Sequence, residues 1–247
     1  MAASLDLMSI ADNLAGARDR VAAACRGAGR AAEDVALMAV SKVHPVEFLL
    51  EAYDAGHRLF GENRVQEFQG KATELGAAFH GPERARFHLI GPLQNNKTAK
   101  AAELFDAIDT IDSLKTAQRL EGAAGELGKV LPILIEVKLS HEETKHGVAP
   151  EDLPELLERI AGVRGAGSAG GVEVHGLMTV PPWAEDPELA RPYFRQLREL
   201  RDQMQPRYPG LTELSMGMSN DFVVAIEEGS TCVRIGTAIF GRRISQI

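Results

Sequence analysis

The apolar run VALMAV is followed by one serine and then by Lys42. A lysine amine with its stem along apolar walls is driven toward the neutral form, the form that attacks an aldehyde to make a Schiff base. The bland alternative is a solvated lysine at a strand end, and position alone does not separate the two. Two later segments suit a phosphate. In SMGMSNDF (215–222), Gly217 permits a tight turn, while Ser219 and Asn220 can cap the helix that follows. Free backbone N–H groups and the positive dipole end of such a helix favour a dianion. Asp221 would repel that dianion, so its side chain is expected to face away. In RIGTAIFG (234–241), Gly236 allows close approach to the backbone and Thr237 adds a hydroxyl and an N–H. A plain helix cap is the commoner use of Ser-Asn, but the two segments together weigh more than either alone. Arg234 lies two residues before Gly236 in the same predicted strand. A charged side chain there needs an anion or an acceptor, which can be a protein carboxylate or the ring nitrogen of a heteroaromatic ligand.

These residues need a frame that brings distant segments together. Eight apolar runs read as strands: VALMAVSK (35–42), RLFGEN (58–63), RFHLIGPL (86–93), DAIDTID (106–112), LPILIEVKL (131–139), VEVHGLMTV (172–180), ELSMG (213–217) and CVRIGTAIFG (232–241). Helical patterns alternate with them, such as RVQEFQGKATEL, SLKTAQRLEGAAGEL, EDLPELLERIAG and ELARPYFRQLRELRDQMQ, with apolar residues three and four apart. Eight strand–helix units predict an α/β protein, a single (β/α)8 TIM-type barrel. An open doubly wound sheet would normally place a Gly-rich loop after the first strand, and VSKVHP has none. In a barrel, chemistry gathers at the carboxyl ends of the strands and phosphates bind after the last two. Lys42 and the two loops fall at those positions. The piece GAGSAGG (165–171) reads as a surface loop, so residues 1–247 are expected to be one domain, with residues 1–30 supplying an N-terminal helix packed on the barrel.

The chain has 247 residues, 45% of them hydrophobic and only 5% aromatic, so small aliphatics must do most of the packing. A formal charge of −8 disfavours a nucleic-acid surface but not one local phosphate site. Cys25 and Cys232 form no close pair, which fits a reducing compartment. The start, MAASLDLMSIADNLAGARDR, reads as an amphipathic helix instead of a signal peptide, and no apolar run reaches membrane-spanning length. A soluble cytoplasmic protein is expected, with no nucleic acid and no membrane as partner.

Asn63 and Arg64 end the second predicted strand, and Gln94, Asn96 and Lys97 lie beyond the third; helix caps and solvated ends would explain each. His88 on an apolar strand is more often a core histidine than a catalyst. His57, His80 and His175 lack metal-ligand spacing, and His141 and His146 read as surface residues of a charged loop.

AVSKVHP, FGENRVQE, HLIGPLQNNK, GLMTVPP and LSMGMSNDFVVAIEEGSTCVRIGTAIFG together closely resemble the pyridoxal phosphate homeostasis protein family, whose members are similar to the barrel domain of alanine racemase. The resemblance implies that pyridoxal 5′-phosphate (PLP) is bound as a Schiff base on Lys42. It also implies that Ser219, Gly236 and Thr237 hold the phosphate with a backbone contact from Met218, that Arg234 faces the pyridine nitrogen, and that Asn63 lies beside the cofactor. In IEVKLSHEETKHG the chain departs from the family at Lys138 and His141, where Asn and Gly are usual, while Lys145 and Gly147 fit.

The implied function is a PLP carrier in cofactor homeostasis, without established turnover, with PLP-dependent apoenzymes as recipients and a monomeric state. The rival is a PLP-dependent amino-acid racemase. An arginine at the ring nitrogen weakens the cofactor as an electron sink, and racemisation needs a second acid–base group. The three tyrosines, Tyr53, Tyr193 and Tyr208, are all expected away from the strand ends. An aldolase-type barrel using Lys42 on a sugar phosphate is a third reading, disfavoured by the early lysine and by Arg234.

Overall fold

A computed structural model describes residues 9–140, 142, 146–163 and 170–241. His141, Lys145 and positions 165–169 of the glycine-rich piece lie outside the described residues. Eight strands, all parallel, close into a barrel in sequence order: β1 (Ala36–Val40), β2 (Leu59–Glu62), β3 (Arg86–Leu89), β4 (Ala107–Ile111), β5 (Val130–Glu136), β6 (Gly171–Met178), β7 (Glu213–Met218) and β8 (Cys232–Ile235). The barrel expected from the alternating pattern is therefore the observed one.

The helices are α1 (Ile10–Gly27), α2 (Val46–Asp54), α3 (Val65–Ala72), α4 (Ala77–His80) and α5 (Thr98–Leu104), then α6 (Leu114–Glu126), α7 (Leu153–Ala161), α8 (Arg191–Met204), α9 (Phe222–Glu227) and α10 (Thr237–Phe240). Their spacing explains why they lie outside the barrel. In α7, Leu153, Leu156, Leu157 and Ile160 recur every three or four residues and are the buried positions. α1 starts at a capping box, in which Ser9 Oγ accepts from Asp12 N and Asp12 Oδ2 accepts from Ser9 N. It packs on α2, α9 and α10. Ile10 N donates to Glu51 Oε1 at 2.9 Å, and Asn13 Nδ2 donates to Ile239 O at 3.0 Å.

Most strands end earlier than the apolar runs suggest. β1 stops at Val40, which leaves Lys42 in the following turn, two residues past the ladder. β8 stops at Ile235, and Thr237–Phe240 curls into a short helix where a continuous strand was expected. Ile239 and Phe240 are buried under the barrel rim in that helix. Burial alone made the run read as strand, because a short apolar helix and a strand end share the same composition. Gly236 therefore lies beyond the strand that carries Arg234.

Core packing is led by small aliphatics as composition requires, with one aromatic cluster where α3 covers β2 and β3. Phe68 is fully buried there, with ring centroids 4.6 Å from Phe87, 4.8 Å from Phe105 and 5.7 Å from Phe79. Both cysteines are buried and free, and burial pushes the Cys232 thiol up to about 12. Among the described residues no helix is long and apolar enough to cross a membrane. Replacing Phe68 by Ala should cost about 3–5 kcal/mol, the usual loss for a buried Phe that leaves a cavity. Chemical denaturation of both proteins checks this, and a loss below about 1 kcal/mol would mean that the aromatic cluster collapses into the space.

Candidate functional site

A cavity of about 540 Å3 opens at the carboxyl ends of the strands. Its lining includes Lys42, Asn63, Met218, Ser219, Arg234, Gly236 and Thr237, so all seven residues singled out in the sequence face one space. They come from four places: the turn after β1, the end of β2, the loop after β7, and β8 with the turn that follows it. The β1–β8 ladder, with Met38 opposite Arg234 and Ala39 opposite Ile235, sets the first and last of these side by side.

Lys42 is half-buried in its turn, following the fully buried Ser41. Asn63 is seated through a glycine. A Cβ built on Gly91 would lie 2.2 Å from Asn63 O and 2.3 Å from its Oδ1, so no other residue fits at position 91 without moving Asn63. Thr110, which also lines the cavity, donates to Gly91 O at 2.8 Å and fixes the same loop.

The β7 loop departs from the expectation in one respect. Met218 N donates to Asp221 Oδ1 at 2.6 Å, while Asp221 N donates to Met218 O at 3.1 Å. Both backbone groups of Met218 are thus engaged by Asp221, which commits the Met218 N–H within the protein. The bond ties the Asp221 carboxylate back to the strand end, yet Asp221 lines the Lys42 cavity and does not face away from it. Burial pushes its carboxyl above the usual range, against the Met218 N–H and the Arg234 charge, which act the other way. Gly217 sits at φ 96°, where a Cβ would approach Ala225 Cβ to 2.5 Å, so the tight turn requires glycine. Ser219 is half-buried, Thr237 is exposed at the start of α10, and the first N–H groups of α10 have no partner within that helix.

Arg234 is 4% exposed. Its Nη1 donates to Ser215 O at 2.7 Å and to Ser215 Oγ at 2.8 Å, and its Nη2 donates to Thr179 O at 2.8 Å. These three acceptors are neutral, so the alternative of a protein carboxylate as direct partner is not the arrangement found. Burial pushes the guanidinium below its ordinary value, although Asp109, Glu136 and Asp221 pull the other way. A cation held by carbonyls, with part of its surface on a cavity, keeps its charge available to a ligand acceptor.

Other sequence candidates separate from this space. His88 lies in a second cavity, at the amino ends of the strands, with Nδ1 3.1 Å from Asp109 Oδ1. Lys97 and Asn96 line a shallow cleft between α3 and α5. Lys138 is not among the residues lining the Lys42 cavity. A cavity of about 600 Å3 between α7 and the segment after α8 carries Arg207 and Tyr208, but it lies at the amino ends of β6 and β7. His146, read as a surface residue, is exposed and also lines the Lys42 cavity, together with Glu136, Val180 and Trp183. Glu136 and His146 lie in IEVKLSHEETKHG and Val180 in GLMTVPP, with Trp183 directly after it, but the resemblance carried by these stretches implied no site role for the four. The barrel rule that strand ends gather chemistry was the one signal that could have found Glu136.

The chain matches the alanine racemase N-terminal domain family over residues 6–243. It is 43% identical to the pyridoxal phosphate homeostasis protein of Aquifex aeolicus over 237 residues, 96% of this chain and 99% of that one. With the protein of the same name from Escherichia coli K12 it shares 41% identity over 236 residues, 95% of this chain and 97% of the relative. The structure of PipY from Synechococcus elongatus with PLP bound superposes with a TM-score of 0.81 at 39% identity, covering 94% of this chain and all of that one. Alanine racemase of Clostridium difficile gives a TM-score of 0.70 at 16% identity over 95% of this chain and 58% of the racemase, a likeness of fold alone. With matches of this extent in both sequence and fold, the chain belongs to the pyridoxal phosphate homeostasis protein family, built on the alanine racemase N-terminal domain barrel.

Proposed function

We propose that this chain binds PLP as a Schiff base on Lys42 and serves as a PLP carrier in cofactor homeostasis, with residues 1–247 acting as one PLP-binding unit. The observation that carries the reading is the gathering of Lys42, Arg234, Ser219, Gly236 and Thr237 around one cavity at the strand ends. The residues fit the group. The volume is in the range of pockets for small ligands, and a buried guanidinium anchored by carbonyls lines it. Gly236 and Thr237 begin a helix turn that leaves N–H groups for a phosphate. When bound, PLP supplies an aldehyde to the lysine amine and a pyridine ring able to take up electron density.

The chain's own residues favour holding over turnover. Arg234 facing the ring nitrogen would oppose its protonation and so weaken the electron sink. None of the three tyrosines lines the cavity; Tyr53 Oη, for one, donates to Glu83 O on the outer surface. The racemase reading keeps one support, because Glu136 and His146 line the cavity and are titratable. Recipients would be PLP-dependent apoenzymes, and a cytoplasmic monomer suits such exchange.

Borohydride reduction of the PLP-loaded protein should fix a phosphopyridoxyl group on Lys42, mapped by mass spectrometry. Trp183, the single tryptophan, lines the cavity. Its emission should be quenched as PLP enters, and the Lys42→Ala variant should lack the visible absorption band. Label found mainly on Lys97 or Lys138 would refute the assignment.

Replacing Ser219 and Thr237 together by Ala should weaken PLP binding by about 0.5–1.5 kcal/mol for each lost hydroxyl and leave the fold intact. Backbone N–H groups survive both changes, so binding should fall without vanishing. An unchanged affinity would remove these loops from the site.

Incubated with L-alanine in heavy water, the loaded protein should exchange the α-proton no faster than free PLP, and should pass PLP to an apoenzyme. Rapid Lys42-dependent deuterium incorporation into both enantiomers would make the racemase reading correct, with Glu136 or His146 as the second acid–base group.

A further inference from the structure

The turn that carries Lys42 adopts an unfavourable backbone conformation. Val43 has φ 62°, the only positive φ at a described residue other than glycine. A β-branched side chain is poorly accommodated in this left-handed region, and such outliers persist only where the surroundings over-determine them.

The determinants lie on α3 and at the end of β2. Val43 N donates to Glu67 Oε1 at 2.6 Å. Lys71 Nζ lies 2.9 Å from that same oxygen and 2.9 Å from Glu62 Oε1, and donates to Ser41 O at 3.0 Å. An ammonium has three N–H donors, and three acceptors engage them here. Ser41 Oγ donates to Glu62 Oε1 at 2.7 Å. The side chains of Lys71 and Glu62 are only 11% and 0% exposed, so this is a buried cluster and not a solvated ion pair. An ion pair that merely joined α3 to β2 would need only Lys71 and Glu62. Instead, two of the bonds end on backbone atoms of Ser41 and Val43, the residues on either side of Lys42.

We infer that Lys71, acting through Glu62 and Glu67, is a positioning residue for Lys42. It clamps the Ser41–Val43 turn so that the Lys42 amine meets the aldehyde of PLP. The inference rests on the proposed role of Lys42. The amine and aldehyde condense with release of one water, and Lys71 takes no part in that bond change. The clamp therefore serves formation of the covalent link and not recognition of ring or phosphate.

Two ligands separate those contributions. Pyridoxamine 5′-phosphate keeps the ring and phosphate but has an amine in place of the aldehyde, so it cannot condense with lysine. In the full-length chain, Lys71→Met should raise the Kd for PLP at least about tenfold, equivalent to ~1.4 kcal/mol. The Kd for pyridoxamine 5′-phosphate should stay within about twofold of wild type, since its contacts are untouched. Adding Val43→Gly to Lys71→Met should recover PLP binding, because glycine takes this φ without strain. Equal losses for both ligands would show a structural role only, and unchanged PLP binding would exclude any role; either overturns the inference. If Lys71→Met fails to fold, Glu67→Ala, which removes the Val43 N–H acceptor from a partly exposed helix position, carries the same pair of expectations. Wild-type protein that is not labelled at Lys42 would defeat the underlying proposal, whereas equal labelling of wild type and Lys71→Met at PLP concentrations below the wild-type Kd would defeat this inference alone.

Discussion

Closure of the barrel by the parallel β1–β8 ladder is the interaction on which the site depends. Ala36 pairs with Cys232 and Ala39 with Ile235, so strands from opposite ends of the chain become neighbours. That register alone brings the Lys42 turn alongside the Gly236–Thr237 turn. The seam is long-range in sequence, which makes it slow to form and entropically demanding. α1 crosses the outside of the seam, bonded to Glu51 of α2 and Ile239 of α10, with Arg20 4.7 Å over the Phe222 ring of α9. The N-terminal helix thus acts as a latch between the first and last units of the barrel.

Inside, the barrel divides into two polar ends separated by an apolar plug. Met38, Leu59 and Cys232 form a small buried cluster, with Ile90 packed against it. Above it the Lys42 cavity holds the Arg234 guanidinium. Below it a cavity is lined by His88, Asp109, His175 and Glu213. Arg234 is satisfied by the carbonyls of Ser215 and Thr179, with Asp109 and Glu136 acting on it only through their charge. A net charge of −8 is compatible with a local anion site, because field and contact, not total charge, decide binding at one phosphate.

The amino-acid sequence revealed the frame better than its edges. The eight strands are legible because parallel strands buried on both faces read as continuous apolar runs. The same property blurs their carboxyl ends, as in CVRIGTAIFG, where burial continues after the ladder has stopped at Ile235. The seven candidate residues stand out through motif and strand-end position, and all of them line one cavity. Met218 lines the cavity, but its backbone N–H is engaged by Asp221, a local bond that no spacing rule signals. The Glu67–Lys71 pair could be seen as an i,i+4 contact on a helix. That Lys71 reaches back to Ser41 and Glu62 depends on how α3 packs over two strand ends, which is information carried by the fold alone.

The central claim is that one cavity joins a lysine from the first unit to phosphate-binding loops from the last two. A crystal structure of the protein grown with PLP tests it most directly. The account predicts continuous density from Lys42 Nζ to the cofactor, with the phosphate against Ser219 and Thr237 and the ring nitrogen toward Arg234. Density joined to another lysine, or a phosphate lying away from both loops, would contradict it.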